Sequence, residues 1–204
     1  MTEIRDHWRW RPGWAPGRRF WTFHVTWQDV PEVQEHMAKA RARLAGVPGL
    51  DLVPGDWLHL TTQGIGFDDE VGAADLSAIT AAARARLAAI LPVPVEVGPP
   101  VAASEGVACW VGPARALDPV RDALRAAIAD VWGPERLPGG PDWTPHVSAA
   151  YSSVTGPADA VEAALGGEDG IVHTTVKAVQ LIRLGRDRHA YEWDSAVTLP
   201  LGGQ

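Results

Sequence analysis

The sequence predicts an α+β protein built as two similar lobes facing each other across a cleft. Two observations lead there. Segments with the two-residue alternation of strands are interleaved with segments of helical spacing. The order strand, helix, strand also occurs twice, each time ending in a histidine followed two positions later by a hydroxyl: His59-Leu60-Thr61-Thr62 and His146-Val147-Ser148-Ala149.

Taken in order, residues 1–18 read as a Trp/Arg-rich arm ahead of a single bilobal domain over 19–204. Arg5, Arg9, Arg11, Arg18 and Arg19 alternate with Trp8, Trp10, Trp14 and Trp21. Guanidinium groups beside aromatic faces suit single-stranded bases. The competing reading is an irregular arm whose tryptophans pack onto the domain. Residues 20–27 alternate as a strand, with Trp21, Phe23, Val25 and Trp27 on one face and Phe20, Thr22, His24 and Thr26 on the other. Asp29 as N-cap and Pro31 in the first turn open a helix with Val33, Met37, Ala40 and Leu44 on one side, ended by Gly46. A short apolar segment at 50–53, a Pro54-Gly55-Asp56 turn and a strand at 57–63 complete the first unit.

A connecting helix is expected over 70–91, with Leu76, Ile79, Ala83, Leu87 and Ile90 as its apolar stripe. Strands at 92–97 and 106–112 follow, with 98–104 as their hairpin connection. Asp118-Pro119 opens a helix carrying Val120, Leu124, Ile128 and Val131. The Gly- and Pro-rich stretch 133–141 reads as a loop, 144–151 as the second motif strand and 157–165 as a short helix. Two strands, 172–184 and 191–199, close the chain around an Arg186-Asp187-Arg188 turn. The loops ahead of the motifs also match, Pro54-Gly55-Asp56-Trp57 against Gly140-Pro141-Asp142-Trp143.

Composition narrows the function. In 204 residues, 46% are hydrophobic and 21% charged, as in ordinary globular chains, and the formal net charge of -7 disfavours tracking long nucleic acid. A short nucleotide or RNA end needs only a local positive site. The single Cys109 lies in an apolar run, reads as a small core residue, and leaves no Cys-based zinc site. No apolar run approaches the roughly 20 residues of a membrane helix, and the N-terminus lacks a signal-peptide pattern. A cytoplasmic monomer is expected, without metal or cofactor. No Gly-x-Gly-x-x-Gly or phosphate-loop pattern occurs.

Strand periodicity puts His59 beside Thr61 and His146 beside Ser148. Each pair alone is ordinary packing; the repetition at matching points of two units is what suggests one site. Two imidazoles and two hydroxyls suit a tetrahedral phosphate. The hydroxyls donate to non-bridging oxygens while the histidines exchange roles as general base and acid near neutrality. Trp57, two residues before His59, should share the cleft face, where stacking on a base or ribose and packing as a core tryptophan are equal readings. Tyr151 should face away from His146 unless a bulge turns it round; both are candidate substrate contacts. Trp143 reads as loop packing. His24, His36, His173 and His189 read as surface or packing histidines, and His7 goes with the arm.

The double His-x-Thr/Ser layout, the Trp143-Thr144-Pro145-His146-Val147-Ser148 stretch and the order of elements over 19–199 resemble the 2H phosphoesterase superfamily, in particular its 2'-5' RNA ligase-like branch, the RNA 2',3'-cyclic phosphodiesterases. The resemblance implies two lobes whose antiparallel sheets line a central cleft, with helices outside. It implies metal-independent hydrolysis of a 2',3'-cyclic phosphate or related nucleotide or RNA-end phosphodiester, with 2'-5' ligation or non-catalytic nucleotide binding as alternatives. It casts His59 as the acid, His146 as the base, and Thr61 and Ser148 as phosphate ligands. One departure stands out. Some RNA-active members carry a basic residue five positions after the second histidine, where this chain has Tyr151. Outside the arm, Arg183, Arg186 and Arg188 are the candidates to replace it, although their ordinary reading, and the preferred one, is a solvated strand end and turn.

Overall fold

The computed structural model describes residues 3–140, 142–167 and 170–202; Pro141 of the second pre-motif loop lies outside them. The first half runs β1 (Glu3–Ile4), β2 (Phe20–Thr26), α1 (Pro31–Leu44), β3 (Leu50–Leu52), β4 (His59–Phe67) and α2 (Ala73–Leu87). The second runs β5 (Val93–Ala103), β6 (Gly106–Gly112), α3 (Asp118–Trp132), β7 (His146–Ser152), β8 (Gly156–Pro157), α4 (Asp159–Ala164), β9 (Val172–Val176), β10 (Ala178–Gly185) and β11 (Glu192–Pro200). Two antiparallel sheets result, in the orders β11-β10-β2-β4 and β3-β7-β6-β5-β9, while β1 pairs with β8.

The repeat is real at the level of pairing. In each unit the motif strand pairs antiparallel with the strand preceding its helix: β4 with β2 around α1, and β7 with β6 around α3. The halves nonetheless interlock. β3 leaves the first unit to pair with β7, and β10 returns from the chain's end to pair with β2. The helices cover this framework with apolar stripes at three- and four-residue spacing. Val33, Met37, Ala40 and Leu44 of α1 are buried, as are Ile79, Ala83 and Leu87 of α2 and Val120, Leu124, Ala127 and Ile128 of α3. Burying each large side chain contributes roughly 1.5–3 kcal/mol. One buried cluster runs through both halves, including Cys109.

Several expected boundaries shift. Val30, not Asp29, is the N-cap of α1, and it makes no side-chain cap bond. The connecting helix is shorter than 70–91 because Gly72 is extended and serves as the N-cap of α2. Residues 55–57 form a 3-10 turn, so the first motif strand starts at His59. The stretch 98–104 is not a loop. β5 continues through it with a register irregularity between Val97 and Pro100. Proline donates no ladder bond, and Pro94 and Pro100 both lie where β5 has a single neighbour, β9 for one and β6 for the other. The run 172–184 is two strands, not one. It breaks at Lys177, β9 joining the five-stranded sheet and β10 the four-stranded.

Three bulges matter for the site. Thr62 and Ile65 have no partner in the β2–β4 ladder, which pairs His24 with Thr61, Phe23 with Gln63, Thr22 with Gly64 and Trp21 with Gly66. Ala149 is skipped in the β6–β7 ladder, where Ala108 pairs with Ser148 and Val107 with Ala150. Each extra residue inverts the in–out alternation beyond it.

The arm is irregular and docked. Ile4 and Trp8 are buried, and Trp8 Nε1–H donates to Asp51 Oδ2 at 2.8 Å. Trp14 packs on Phe20 and Phe67, whereas Trp10 stands exposed.

Candidate active site

A cavity of about 430 Å³ lies between the two sheets, and its walls include His59, Thr61, His146 and Ser148. The sequence-predicted quartet is therefore gathered in one place. The two imidazoles are held alike. His59 Nδ1 lies 2.7 Å from the carbonyl of Trp57, and His146 Nδ1 lies 2.9 Å from the carbonyl of Thr144, two residues back in each case. A carbonyl only accepts, so both rings carry the proton on Nδ1 and keep Nε2 for a ligand. They differ in exposure: His59 is buried and His146 exposed. Burial pushes His59 down to about 4, with His146 acting in the same direction and the Trp57 carbonyl opposing it.

The bulges recruit residues beyond the motifs. Past Ala149 the alternation inverts, so Tyr151 joins His146 and Ser148 on the cavity wall instead of facing away. Gly106, at φ +151°, permits this closeness; a Cβ there would run into the Ala150 carbonyl and the Tyr151 backbone. Burial first, and Tyr191 second, raise the Tyr151 phenol above the usual range and keep it protonated, with Ser148 acting the other way.

His24 also lines the cavity and is not a packing histidine of the ordinary kind. Its ring lies flat on that of His59, with centroids 4.5 Å apart and planes 7° apart. Nε2 lies 3.2 Å from Thr61 Oγ1, while Nδ1 is buried without a partner. A bare lone pair is the less costly orphan, so Nε2 carries the proton and donates to Thr61. Burial first, and neighbouring His59 second, hold His24 well below the ordinary histidine range.

The arm supplies the remaining wall. His7, Arg11 and Trp14 face the cavity together with Glu105 from the β5–β6 turn. His7 Nδ1–H donates to Glu105 Oε2 at 2.9 Å, and Tyr191 Oη–H donates to His7 Nε2 at 2.9 Å. The His7 ring stacks on Tyr151 with centroids 4.2 Å apart. Burial, reinforced by Arg11, lowers His7 to about 4. Burial alone would raise Glu105, but Arg9, Arg11 and His7 together hold it below the usual carboxylate range.

Trp57 and Trp143 exchange their expected places. Trp57 packs edge-on against Trp193 in the neighbouring groove, outside the cavity. Trp143 reaches the cavity wall and its Nε1–H donates to the Thr61 carbonyl at 3.0 Å. The candidate replacement cations Arg183, Arg186 and Arg188 lie outside the cavity. Arg183 pairs with Asp68 and Asp194, and Arg188 with Glu192. Arg186 is buried behind the wall, over the rings of Trp8, Trp14 and Tyr191. Among the described residues no group of three or more His, Cys, Asp and Glu is arranged to hold a metal ion. No helix among them is long and apolar enough to cross a membrane.

The family model of the 2'-5' RNA ligase superfamily matches residues 29–188. The chain belongs to that superfamily, the 2H phosphoesterases. Solved structures with this 2H phosphoesterase fold include TT0787 of Thermus thermophilus, at 18% identity and TM-score 0.70, matched over 91% of this chain and 99% of that one. E. coli LigT in apo form aligns at 17% identity and TM-score 0.62, over 89% and 97%. E. coli LigT complexed with 3'-AMP aligns at 18% identity and TM-score 0.60, over 89% and 98%. No curated protein sequence matches the chain. The superfamily match starts after the arm and after β2, so His7, Arg11 and His24 all lie outside it.

Proposed function

We propose that this 2H phosphoesterase hydrolyses a 2',3'-cyclic phosphate or a related nucleotide or RNA-end phosphodiester by acid–base catalysis at His59 and His146. The observation that carries this reading is the pair of identically held imidazoles, each next to a hydroxyl, in one cavity. Crystals of the fold neighbour E. coli LigT contain 3'-AMP, ATP, NADP+ or phosphate, which supports a small nucleotide phosphate as ligand. A groove of about 750 Å³ shares Trp143 with the cavity and gives room for the rest of such a substrate.

In the reaction one histidine takes a proton from water as its oxygen attacks phosphorus. The other gives its proton to the ribose oxygen as the P–O bond breaks, leaving a phosphomonoester. Neither step is assigned to a metal or cofactor. Burial keeps His59 neutral at pH 7. That favours it as the base, reversing the order the family resemblance implies. A bound phosphate anion favours an imidazolium beside it, the form that the acid needs.

Thr61 and Ser148 hold non-bridging oxygens. Thr61 is prepared for this by a neighbour: His24 donates to Thr61 Oγ1, so the hydroxyl proton is free to point at phosphate. Donors fixed before charge develops are worth more than donors that must turn.

The test is turnover of a 2',3'-cyclic nucleotide in excess chelator. His59→Gln and His146→Gln should each lower kcat about 10²–10⁴-fold with the fold intact. Full activity in either variant refutes the mechanism. Tight nucleotide binding without product would identify a binding module instead.

A further inference from the structure

A phosphate bound in this cavity needs a compensating charge, because an unpaired anion is costly away from water. Among the described residues that line the cavity, Arg11 is the single guanidinium. Lysine is absent from that wall. His7, His24 and His59 share it, and their environments keep them neutral at pH 7.

Arg11 is both fixed and incompletely used. Its Nη2 donates to Glu105 Oε2 at 2.6 Å, while its Nε is buried with no hydrogen-bond partner. The guanidinium as a whole is part-exposed on the cavity wall, and a phosphate oxygen is a strong acceptor for its remaining donors. Glu105 does not cancel the charge. Its other oxygen takes Arg9 Nη2 at 2.5 Å, so two guanidiniums face one carboxylate.

The backbone ahead of Arg11 is tied down. His7 N donates to the Ser152 carbonyl at 2.8 Å, Arg5 N to the Ser104 carbonyl at 2.8 Å, and Arg186 Nη2 to the His7 carbonyl at 2.8 Å. Trp8 is buried between Asp51, His189 and Tyr151. The arm thus delivers a cation to the motif residues without having to order itself at the moment of binding.

We propose that Arg11 is the phosphate-binding cation of this site: its part-exposed guanidinium takes a non-bridging oxygen of a nucleotide phosphate, and Glu105, braced by Arg9 and His7, sets its position. This rests on the phosphoesterase reading of the cavity. It also makes the N-terminal arm part of the active site, although the arm precedes the residues that match the superfamily.

The experiment measures binding of inorganic phosphate to the full chain by calorimetry, beside turnover of a 2',3'-cyclic nucleotide. Arg11→Gln should weaken phosphate binding about ten- to a hundredfold and raise KM more than it lowers kcat. Arg11→Lys should recover part of the loss, since it keeps the charge but not the planar fork. Arg188→Gln, an equal change of charge away from the cavity, should leave binding unchanged. In the unsubstituted protein, the Arg11 Nε–H resonance should shift with phosphate and saturate at the calorimetric Kd, a readout that does not depend on how any variant folds. Unchanged phosphate binding in folded Arg11→Gln, or an unmoved Nε–H resonance at saturating phosphate, overturns the proposal. Phosphate binding that depends on Arg11 in a protein that turns over no cyclic nucleotide supports Arg11 and refutes the hydrolytic reading alone. No phosphate binding by the unsubstituted chain refutes both.

Discussion

Acidification from pH 7 to pH 5 should destabilise this protein more than its carboxylates account for. In the folded chain His7 and His59 sit at about 4, against 6.5 for an exposed histidine. As pH falls through 6.5 the unfolded chain takes up protons that the folded chain refuses. The stability each group contributes is therefore complete above pH 6.5 and is lost as pH falls toward 4. At pH 5 the loss is roughly 2 kcal/mol for each of the two histidines. His24 acts in the same direction. Domains of this kind have only about 5–15 kcal/mol in total, so the effect should be large in urea titrations at the two pH values. The carboxylates held low, such as Glu105, come into play only nearer and below their usual range. Replacing His59 with Asn should shrink the difference between pH 7 and pH 5 by roughly 2 kcal/mol. Equal unfolding midpoints at the two pH values, or a His59 Cε1–H resonance that titrates near 6.5, would show that the ring is not sealed from water as described.

Two further substitutions probe the wall. Trp8→Ala removes a buried indole and leaves Asp51 without its donor, so it should cost roughly 3–5 kcal/mol in chemical denaturation; a cost under about 1 kcal/mol would mean the arm is not an integral part of the domain. Tyr151→Phe keeps the stack on His7 but removes the phenol from the cavity wall. It should cost about 1 kcal/mol of stability and reduce kcat, and unchanged kcat would show that the cavity does not use the phenol.

Much of the architecture was legible from pattern. The helix stripes of α1, α2 and α3 have the right spacing, and both motif strands carry their alternation in plain view. The missed break at Lys177 also had a trace: buried side chains fall at Val176 and then at Val179 and Leu181, so the alternation slips phase across the crossover. The continuous β5 had no such trace, because Gly98-Pro99-Pro100 reads as a turn until one knows that the strand has a neighbour on one side only. The site divides in the same way. Thr61 and Ser148 are reached from their histidines by simple alternation. His24 becomes visible only when β2 is paired with β4, since it is the register that sets it opposite Thr61. Tyr151 depends on one skipped alanine, and nothing in Ala149-Ala150 announces it. His7 and Arg11 lie on an irregular segment, where no periodicity tells which side chains turn inward.

Each imidazole makes the same bond to the carbonyl two residues behind it, yet the two live under different conditions. His59 is enclosed by His24, Tyr191 and Trp193, whereas His146 has only Trp110 edge-on and stands at the surface. A duplicated scaffold would by itself give a reaction centre with no preferred sense, able to receive a substrate either way round. Shutting one side and leaving the other open turns the pair into a polar device with a front and a back. The cavity's solvent-facing imidazole is that of the second motif.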